Sequence, residues 1–338
     1  MKPPLVWFNK YLSNTWEILA VLRRERREGE FRIFCTHPWA RYPGGRASDL
    51  FEREPSKLGE SEYVDYCLDV VQRHEVDLFL PGRNLLPIVR SQARFEALGA
   101  RVLAAGDAAT VARINDKAAI YASLAGDAVD LPAYEVVNDL ADFDAAWKRL
   151  RARHELLCYK PAVSVYGLGF HIVADRGWAL QGLPAGAPWL ISLEEARRKL
   201  AAKGRFRDHM VMQYLPGPER SVDCLARTGE LIRCIVRRKE AGGQVLEDNP
   251  NLVAVVRRLT AKFGLSNLFN VQFRDAAGKS YLLEINPRMS GGLPFACQSG
   301  LALPLWAIRL ALGTATPADL PQPLTGTWIP QPEPMSSL

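Results

Sequence analysis

No stretch of this 338-residue chain approaches the roughly 20 consecutive apolar residues that a membrane-spanning helix needs. The opening, MKPPLVWFNKYLSNTW, lacks an apolar core ending in a small-residue cleavage site, so it does not read as a secretion signal. Six cysteines occur and no two form a CxxC, while five histidines show neither HxxxH nor HExxH spacing. A disulfide framework and a zinc site are therefore disfavoured, and buried free thiols in a reducing cytoplasm are expected. The first predicted strand, Leu5-Val6-Trp7-Phe8, is not followed by GxGxxG, which removes the usual support for a nicotinamide or flavin site. Neither a Ser-His-Asp nor a Cys-His signature is legible, and there is no internal repeat.

What is present is the composition of an ordinary globular protein, 48% hydrophobic and 24% charged, in a chain long enough for two or three lobes. The formal net charge of +6 is carried partly by basic clusters at 23–27, 197–199 and 237–239. Solvated helix faces account for the first two. No aromatic-basic motif accompanies them, so nucleic acid is not indicated as a partner. Predicted strands at 5–8, 31–36, 77–81 and 101–104 alternate with helical patterns at 15–27 and 61–74, the latter with Ser61 as its cap. That order predicts parallel βαβ units and a Rossmann-like sheet. The loop 41–46 contains two glycines and no phosphate-loop Lys, and reads as a connection.

Chemistry concentrates between 269 and 292, FNVQFRDAAGKSYLLEINPRMSGG. Two alternating segments, 270–274 and 280–286, flank the turn-rich 275–279, which predicts a β-hairpin. Asn270 and Gln272 lie two apart on one arm, and Glu284 and Asn286 two apart on the other, so each pair shares a face. If the arms pair in register, Gln272, Glu284 and Asn286 can converge, with Arg288 just beyond. One carboxylate and two amide oxygens are hard ligands that suit Mg²⁺. The same pattern also fits a surface hairpin whose polar face is simply hydrated.

The order NVQF, then LLEINPR, then small residues closely resembles the metal- and phosphate-binding core of the ATP-grasp superfamily, in particular its carbamoyl phosphate synthase and biotin carboxylase branch. The resemblance implies that Gln272, Glu284 and Asn286 hold Mg²⁺ on ATP, with Mn²⁺ as the alternative ion, and that Arg288 faces the transferred phosphate. It extends in motif order from 107 to 313. Within GDAATVARINDKAAIYASLA, read as one helix, Lys117 occupies the position of a Lys that reaches the nucleotide phosphates. Lys160 ends the apolar strand LLCYKP, and a Lys there needs an anionic partner, a need that ATP phosphate meets. The glycine-bearing loop after it, with Gly167 and Gly169, implies a lid over the phosphates, and 178–189, rich in Gly, Pro and Ala, reads as a lid insertion or a mobile loop. In HMVMQYLPGPERSVD, a strand, a Pro-Gly turn and a second strand, backbone groups of Gln213, Tyr214 and Leu215 would read the adenine edge and Glu219 the ribose hydroxyls. Arg237 and Arg238 lie where related enzymes place basic groups near the acyl phosphate, and a solvated strand end is an equal alternative.

The expected fold class is α/β, with α+β grasp lobes: an N-terminal Rossmann-like domain over 1–106 and an ATP-grasp domain over 107–316. The latter divides into a lid lobe at about 130–208 and a C-terminal lobe at about 214–313, followed by a proline-rich extended tail, 317–338. The resemblance implies a cytoplasmic, ATP-dependent carboxylate-amine ligase whose partners are a small-molecule carboxylate and an amine, with no membrane, and with a homodimer compatible. The alternatives are a bicarbonate-activating carboxylase or carbamoyl-phosphate-type enzyme, and a non-catalytic nucleotide sensor.

Overall fold

The computed structural model describes residues 2–12, 14–164, 168–174 and 189–331. They divide into two compact units, the first built from 1–112, 219–272 and 285–338 and the second from 113–218 and 273–284. Among the described residues no helix is long and apolar enough to cross a membrane.

The first unit opens with β1 (Leu5–Phe8), α1 (Thr15–Glu25), β2 (Arg32–Thr36), α2 (Gly44–Ala47), β3 (Leu50–Glu52), α3 (Glu60–His74), β4 (Leu78–Leu80), α4 (Leu85–Arg90), α5 (Gln92–Ala97) and β5 (Arg101–Val102). All four residues of β1 are buried, the mark of a strand covered on both faces. The sheet runs β3-β2-β1-β4-β5 and every pairing is parallel, as the alternating pattern predicts. The short β3 escapes the sequence pattern because all three of its residues are only half-buried. Helix α3 begins one residue before Ser61: Gly59 is its cap residue, and the Glu62 carboxylate accepts the Gly59 N–H at 2.8 Å. The loop at 41–46 is likewise not plain coil, since α2 begins inside it.

The predicted helix over 107–124 is two helices, α6 (Ala108–Asn115) and α7 (Lys117–Ser123). Asp116 between them is extended and accepts the Ala119 N–H at 3.1 Å, so it caps α7 and makes Lys117 the first helical residue. The second unit continues with β6 (Tyr134–Val137), α8 (Leu140–Arg151), β7 (Leu157–Pro161), β8 (His171–Val173), β9 (Leu190–Ile191), α9 (Leu193–Ala201) and β10 (His209–Gln213). Its sheet runs β6-β10-β7-β8-β9, with β7 antiparallel to both β10 and β8. Phe143, Leu150, Leu157, Leu200 and Val211 form its core. Ser192 caps α9 through the Glu195 N–H, as its sequence predicts. Most of the predicted lid insertion at 178–189 lies outside the described residues.

The chain then forms β11 (Glu219–Arg227), β12 (Glu230–Glu240), β13 (Gly243–Glu247), α10 (Pro250–Phe263), the hairpin strands β14 (Asn267–Ala276) and β15 (Lys279–Asn286), α11 (Leu293–Cys297), α12 (Leu303–Leu312) and β16 (Thr327–Pro330). They build a six-stranded sheet in the order β15-β14-β11-β12-β13-β16. The hairpin turn is only Ala277-Gly278, both at positive φ (47° and 74°), tighter than the five-residue turn read from composition. Residues 317–331 depart from the expected extended tail. Leu320 and Ile329 are buried, and β16 pairs antiparallel with β13, where a Cβ on Gly243 would come within 2.3 Å of the Ile329 carbonyl. One apolar cluster joins Ile18, Leu19 and Leu22 of α1 to Leu225, Ile235, Leu303 and Ile308. The Rossmann-like segment is thus not a separate compact body, because α11 and α12 cover the apolar stripe of α1.

Side chains from the ends of the parallel strands and from the loops after them meet at a buried carboxylate. Glu54 accepts from the Lys10 N–H (2.9 Å), the Thr36 hydroxyl (2.8 Å) and the Tyr63 hydroxyl (3.2 Å), with the Arg83 guanidinium at 3.3 Å. Burial is the largest influence and, despite these donors, holds the Glu54 carboxyl above its ordinary value of 4.5. A folded-state value above the unfolded one contributes stability that is complete below about pH 4.5 and is lost as pH rises through the folded value. Urea unfolding of the wild type and Glu54→Gln should therefore show the wild type gaining relative stability as pH falls from about 8 towards 4.5. A pH-independent difference would contradict the assignment.

Candidate active site

In the second unit, Lys117 is 5% exposed and sits at the N-terminus of α7, where a cation opposes the helix dipole. An unpaired ammonium buried there is costly, so it must meet an anion. It does: Lys117 Nζ lies 3.1 Å from Glu284 Oε2 on β15, a residue 167 positions away in the chain by subtraction, and 3.5 Å from the Ser164 carbonyl. The backbone fixes this meeting. The Lys117 N–H donates to the Ala162 carbonyl at 3.1 Å, just past the end of β7. One turn further on, the buried Tyr121 hydroxyl donates to the Leu282 carbonyl of β15 at 2.7 Å. Helix α7 is thereby fastened to both the Lys-Pro strand and the hairpin.

Lys160 stands on β7 opposite Met210 of β10. Its charge is felt at the buried Cys158 thiol, which burial pushes up to about 12 while Lys160 and Arg274 act in the opposite sense. Arg274 also donates to the Gly217 carbonyl at 3.0 Å and stacks over Tyr214 at 5.5 Å. Burial raises the Tyr121 hydroxyl well above 10, and the charge of Glu284 adds to that rise. The second unit thus gathers Lys117, Lys160, Arg274 and one carboxylate, Glu284, around the buried pair Tyr121 and Cys158.

In the first unit, the loop after β15 carries Arg288. Its N–H donates to the Asn286 carbonyl at 2.7 Å, and its guanidinium donates to the Met289 carbonyl at 3.3 Å. Beneath this loop, Arg237 is 1% exposed and paired with Asp223, Nε to Oδ2, at 2.7 Å. Its other donors reach Gln244, Ser221 (3.0 Å) and Ser290 (2.9 Å), while Asn270 and Ser290 donate to Asp223 Oδ1. A Cβ on Gly292 would fall 2.1 Å from Arg237 Nη1, so glycine is what lets the loop rest on the guanidinium. Arg237 is therefore a buried framework residue and not an acyl-phosphate contact. Arg238 is paired with Glu240 and Glu247.

Residues 205–331 match the family described as "ATP-grasp in the biosynthetic pathway with Ter operon". Solved structures share the fold across nearly the whole chain. An L-amino acid ligase from Bacillus licheniformis aligns with a TM-score of 0.65 at 16% identity, covering 96% of this chain and 78% of its own. An N5-carboxyaminoimidazole synthetase from Staphylococcus aureus, complexed with ADP, aligns at 0.66 with 10% identity, covering 95% and 80%. The biotin carboxylase domain of the Hydrogenobacter thermophilus 2-oxoglutarate carboxylase, in complex with MgADP and bicarbonate, aligns at 0.65 with 16% identity, covering 93% and 70%. The fold is the one these three enzymes share, and the match to the ATP-grasp family itself is confined to residues 205–331. No curated protein matches it in sequence.

Of the residues to which the ATP-grasp motifs point, Lys117, Lys160, Gly169, Gln213, Tyr214, Leu215 and Glu284 belong to the second unit, and Glu219, Gln272, Asn286 and Arg288 to the first. Gly167 lies outside the described residues. Gly169 has φ of 80°, and a Cβ there would meet Pro161 Cδ at 2.9 Å, so the chain needs glycine where it folds back over the Lys-Pro strand. The Gln213 and Tyr214 N–H groups donate to the Ala133 and Leu156 carbonyls. Glu219 has the Lys239 ammonium at 2.6 Å. Among the described residues no three His, Cys, Asp or Glu side chains form a metal-binding group. Sequence reasoning missed Arg274, although it continues the period of two from Asn270 and Gln272. It also missed Tyr121 and the Asp223–Arg237 pair, for which only long-range pairing provides a signal.

The buried pair yields a stability prediction. Arg237→Met strands the Asp223 carboxylate and should destabilise the protein by about 3–5 kcal/mol, whereas adding Asp223→Leu should recover a large part of that loss. Urea titration of both variants checks it. Equal losses in the single and double variants would show that the charge pairing is irrelevant.

Proposed function

We propose that this protein is an ATP-dependent ligase that activates a carboxylate as an acyl phosphate and couples it to an amine. The observation that carries the reading is the Lys117–Glu284 pair: a buried ammonium for phosphate beside the single carboxylate of the expected metal set, 3.1 Å apart. The donor chemistry fits Mg²⁺. That ion keeps several waters and is held by one or two carboxylates together with substrate phosphates, so one carboxylate and two amides suffice. Gln272, Glu284 and Asn286 would hold it, and it would supply charge neutralisation on the phosphates. Mn²⁺ has the same oxygen preference.

The chain's own residues then do the rest. Lys117, Lys160 and Arg288 would bind phosphoryl oxygens, offsetting charge as it spreads over the γ-phosphoryl. A carboxylate oxygen attacks that phosphorus, the bond to the β–γ bridging oxygen breaks, and ADP leaves. The amine nitrogen next attacks the acyl carbon, phosphate departs with the C–O electron pair, and the amine proton is lost. No step needs a side-chain nucleophile, in keeping with a sequence that has no such signature. With the N–H groups of Gln213 and Tyr214 already donating within the protein, adenine reading would fall to the Leu215 N–H and the neighbouring carbonyls. Glu219 would exchange Lys239 for a ribose hydroxyl. Gly169 sets the return of the loop that would cover the phosphates. Cytoplasmic location and small-molecule partners follow from the same reading. Bicarbonate as the carboxylate is the second reading, supported by the likeness to a carboxylase domain solved with that anion.

Glu284→Gln keeps the side-chain volume while removing the negative charge. It should lower amine-dependent ADP release by about 100-fold or more; the urea midpoint should fall as well, because Lys117 loses its anion, while the variant stays folded in the absence of urea. Wild-type turnover in that variant would refute the metal assignment. ATP binding by the native protein, with no ADP release in the presence of any carboxylate and amine pair or of bicarbonate, would identify a sensor instead.

A further inference from the structure

The loop that carries Arg288 is clasped from a part of the chain nearly 280 residues earlier. The Tyr11 hydroxyl donates to the Met289 carbonyl at 2.5 Å, and the Asn14 amide donates to the Gly291 carbonyl, also at 2.5 Å, with sequence separations of 278 and 277 residues. The Met289 carbonyl is the same oxygen to which the Arg288 guanidinium donates at 3.3 Å. One acceptor therefore holds a tyrosine from the first loop and the arginine proposed to face phosphate. The tyrosine is itself wedged in place. A Cβ on Gly82 would lie 1.9 Å from Tyr11 Cδ2, so the ring occupies the space that any other residue at position 82 would fill. A small pocket of about 20 Å³, lined in part by Tyr11, Pro81, Asn267, Arg288 and Met289, adjoins them, with room for about one water.

We infer that Tyr11 is a positioning residue for Arg288: its hydroxyl fixes the Met289 peptide and so sets where the guanidinium can reach. The inference rests on the ATP reading above. A phenol on a two-torsion side chain is a stiff donor, and with the ring packed against Gly82 it holds the carbonyl in one orientation. Without the hydroxyl, the guanidinium becomes the stronger donor left to that carbonyl, and a charged donor bonds a backbone oxygen well. Arg288 is then drawn towards its own loop and away from an incoming phosphate. None of these residues is among those assigned above to adenine or ribose. Its effect should therefore be confined to the terminal phosphate, which distinguishes positioning from general support of the fold.

Calorimetric titration of the full chain with MgADP and with Mg²⁺ plus the non-hydrolysable ATP analogue AMP-PNP separates the two roles. Arg288→Ala should lose the preference for AMP-PNP over ADP. Tyr11→Phe, which keeps the ring, should weaken AMP-PNP by about tenfold and leave ADP unchanged. Gly82→Ala, which displaces the ring, should do the same. In the Arg288→Ala background Tyr11→Phe should add no further loss, because it acts only through that arginine. Parallel weakening of both nucleotides, or independent losses in the double variant, would overturn the inference while leaving the ligase reading intact. Unchanged preference in Arg288→Ala, or no nucleotide binding by the wild type, would overturn both.

Discussion

The ion pair between Arg237 and Asp223 is the constraint on which the loop carrying Arg288 in the first unit depends. Two charges with almost no exposure demand that every donor and acceptor around them be placed. The sheet meets most of that demand with side chains from four strands: Ser221 and Asp223 of β11, Arg237 of β12, Gln244 of β13 and Asn270 of β14, whose amide donates while its oxygen is buried without a partner. The sixth side chain, Ser290, comes from the loop that follows β15. A loop that completes a buried polar network has little freedom, because leaving any member unpaired costs its full desolvation. The network therefore converts a connection between β15 and α11 into a rigid platform, and Arg288 stands on it.

The second unit reaches the same end by a different route. Its cations stand on a helix start and on strands, where regular hydrogen bonding fixes the backbone. Lys117 is the costly one, buried and placed against a helix dipole. Glu284 offsets it in the free protein. The same carboxylate is the one that a metal ion would claim, so the ammonium would then need a new anion, and a phosphate oxygen is a suitable one. On the proposed reading, metal and nucleotide would be linked through a single exchange of partners, since a metal that took Glu284 from Lys117 would leave a buried ammonium in need of an anion.

Much of this was legible from the residues, and the failures have physical causes. The hairpin announced itself through its period of two, and Lys160 through its place at the end of an apolar run. The single helix read over 107–124 missed the break at Asp116 because apolar spacing continues through α6 and α7, whereas a cap is a local hydrogen bond that periodicity does not register. Composition made 317–331 an extended tail. Two apolar residues, Leu320 and Ile329, were enough to fold it back onto the core and to add β16. The separate first domain failed for the same kind of reason. Nothing local in α1 shows that its stripe will be covered by residues near position 305. Arg237 illustrates the reverse error: a basic residue on a strand looked available for substrate, and only the strands around it reveal that it is enclosed.

Pre-placed cations are worth most when they need not reorganise as charge develops, which is the condition under which electrostatic stabilisation accelerates phosphoryl transfer. Arg288 is the least secure of them by local sequence, since it stands in a loop after a strand rather than within an element. The sheet network fixes the loop through Ser290 and Gly292, while Tyr11 and Asn14 fix it through Met289 and Gly291. Four consecutive residues after the arginine are thus anchored alternately by the first loop of the chain and by the strands beneath. A substitution in either support would shift the guanidinium without altering any residue that touches nucleotide. On the proposed reading, this gives the Rossmann-like segment, in which no nucleotide fingerprint is legible, a mechanical part in holding Arg288.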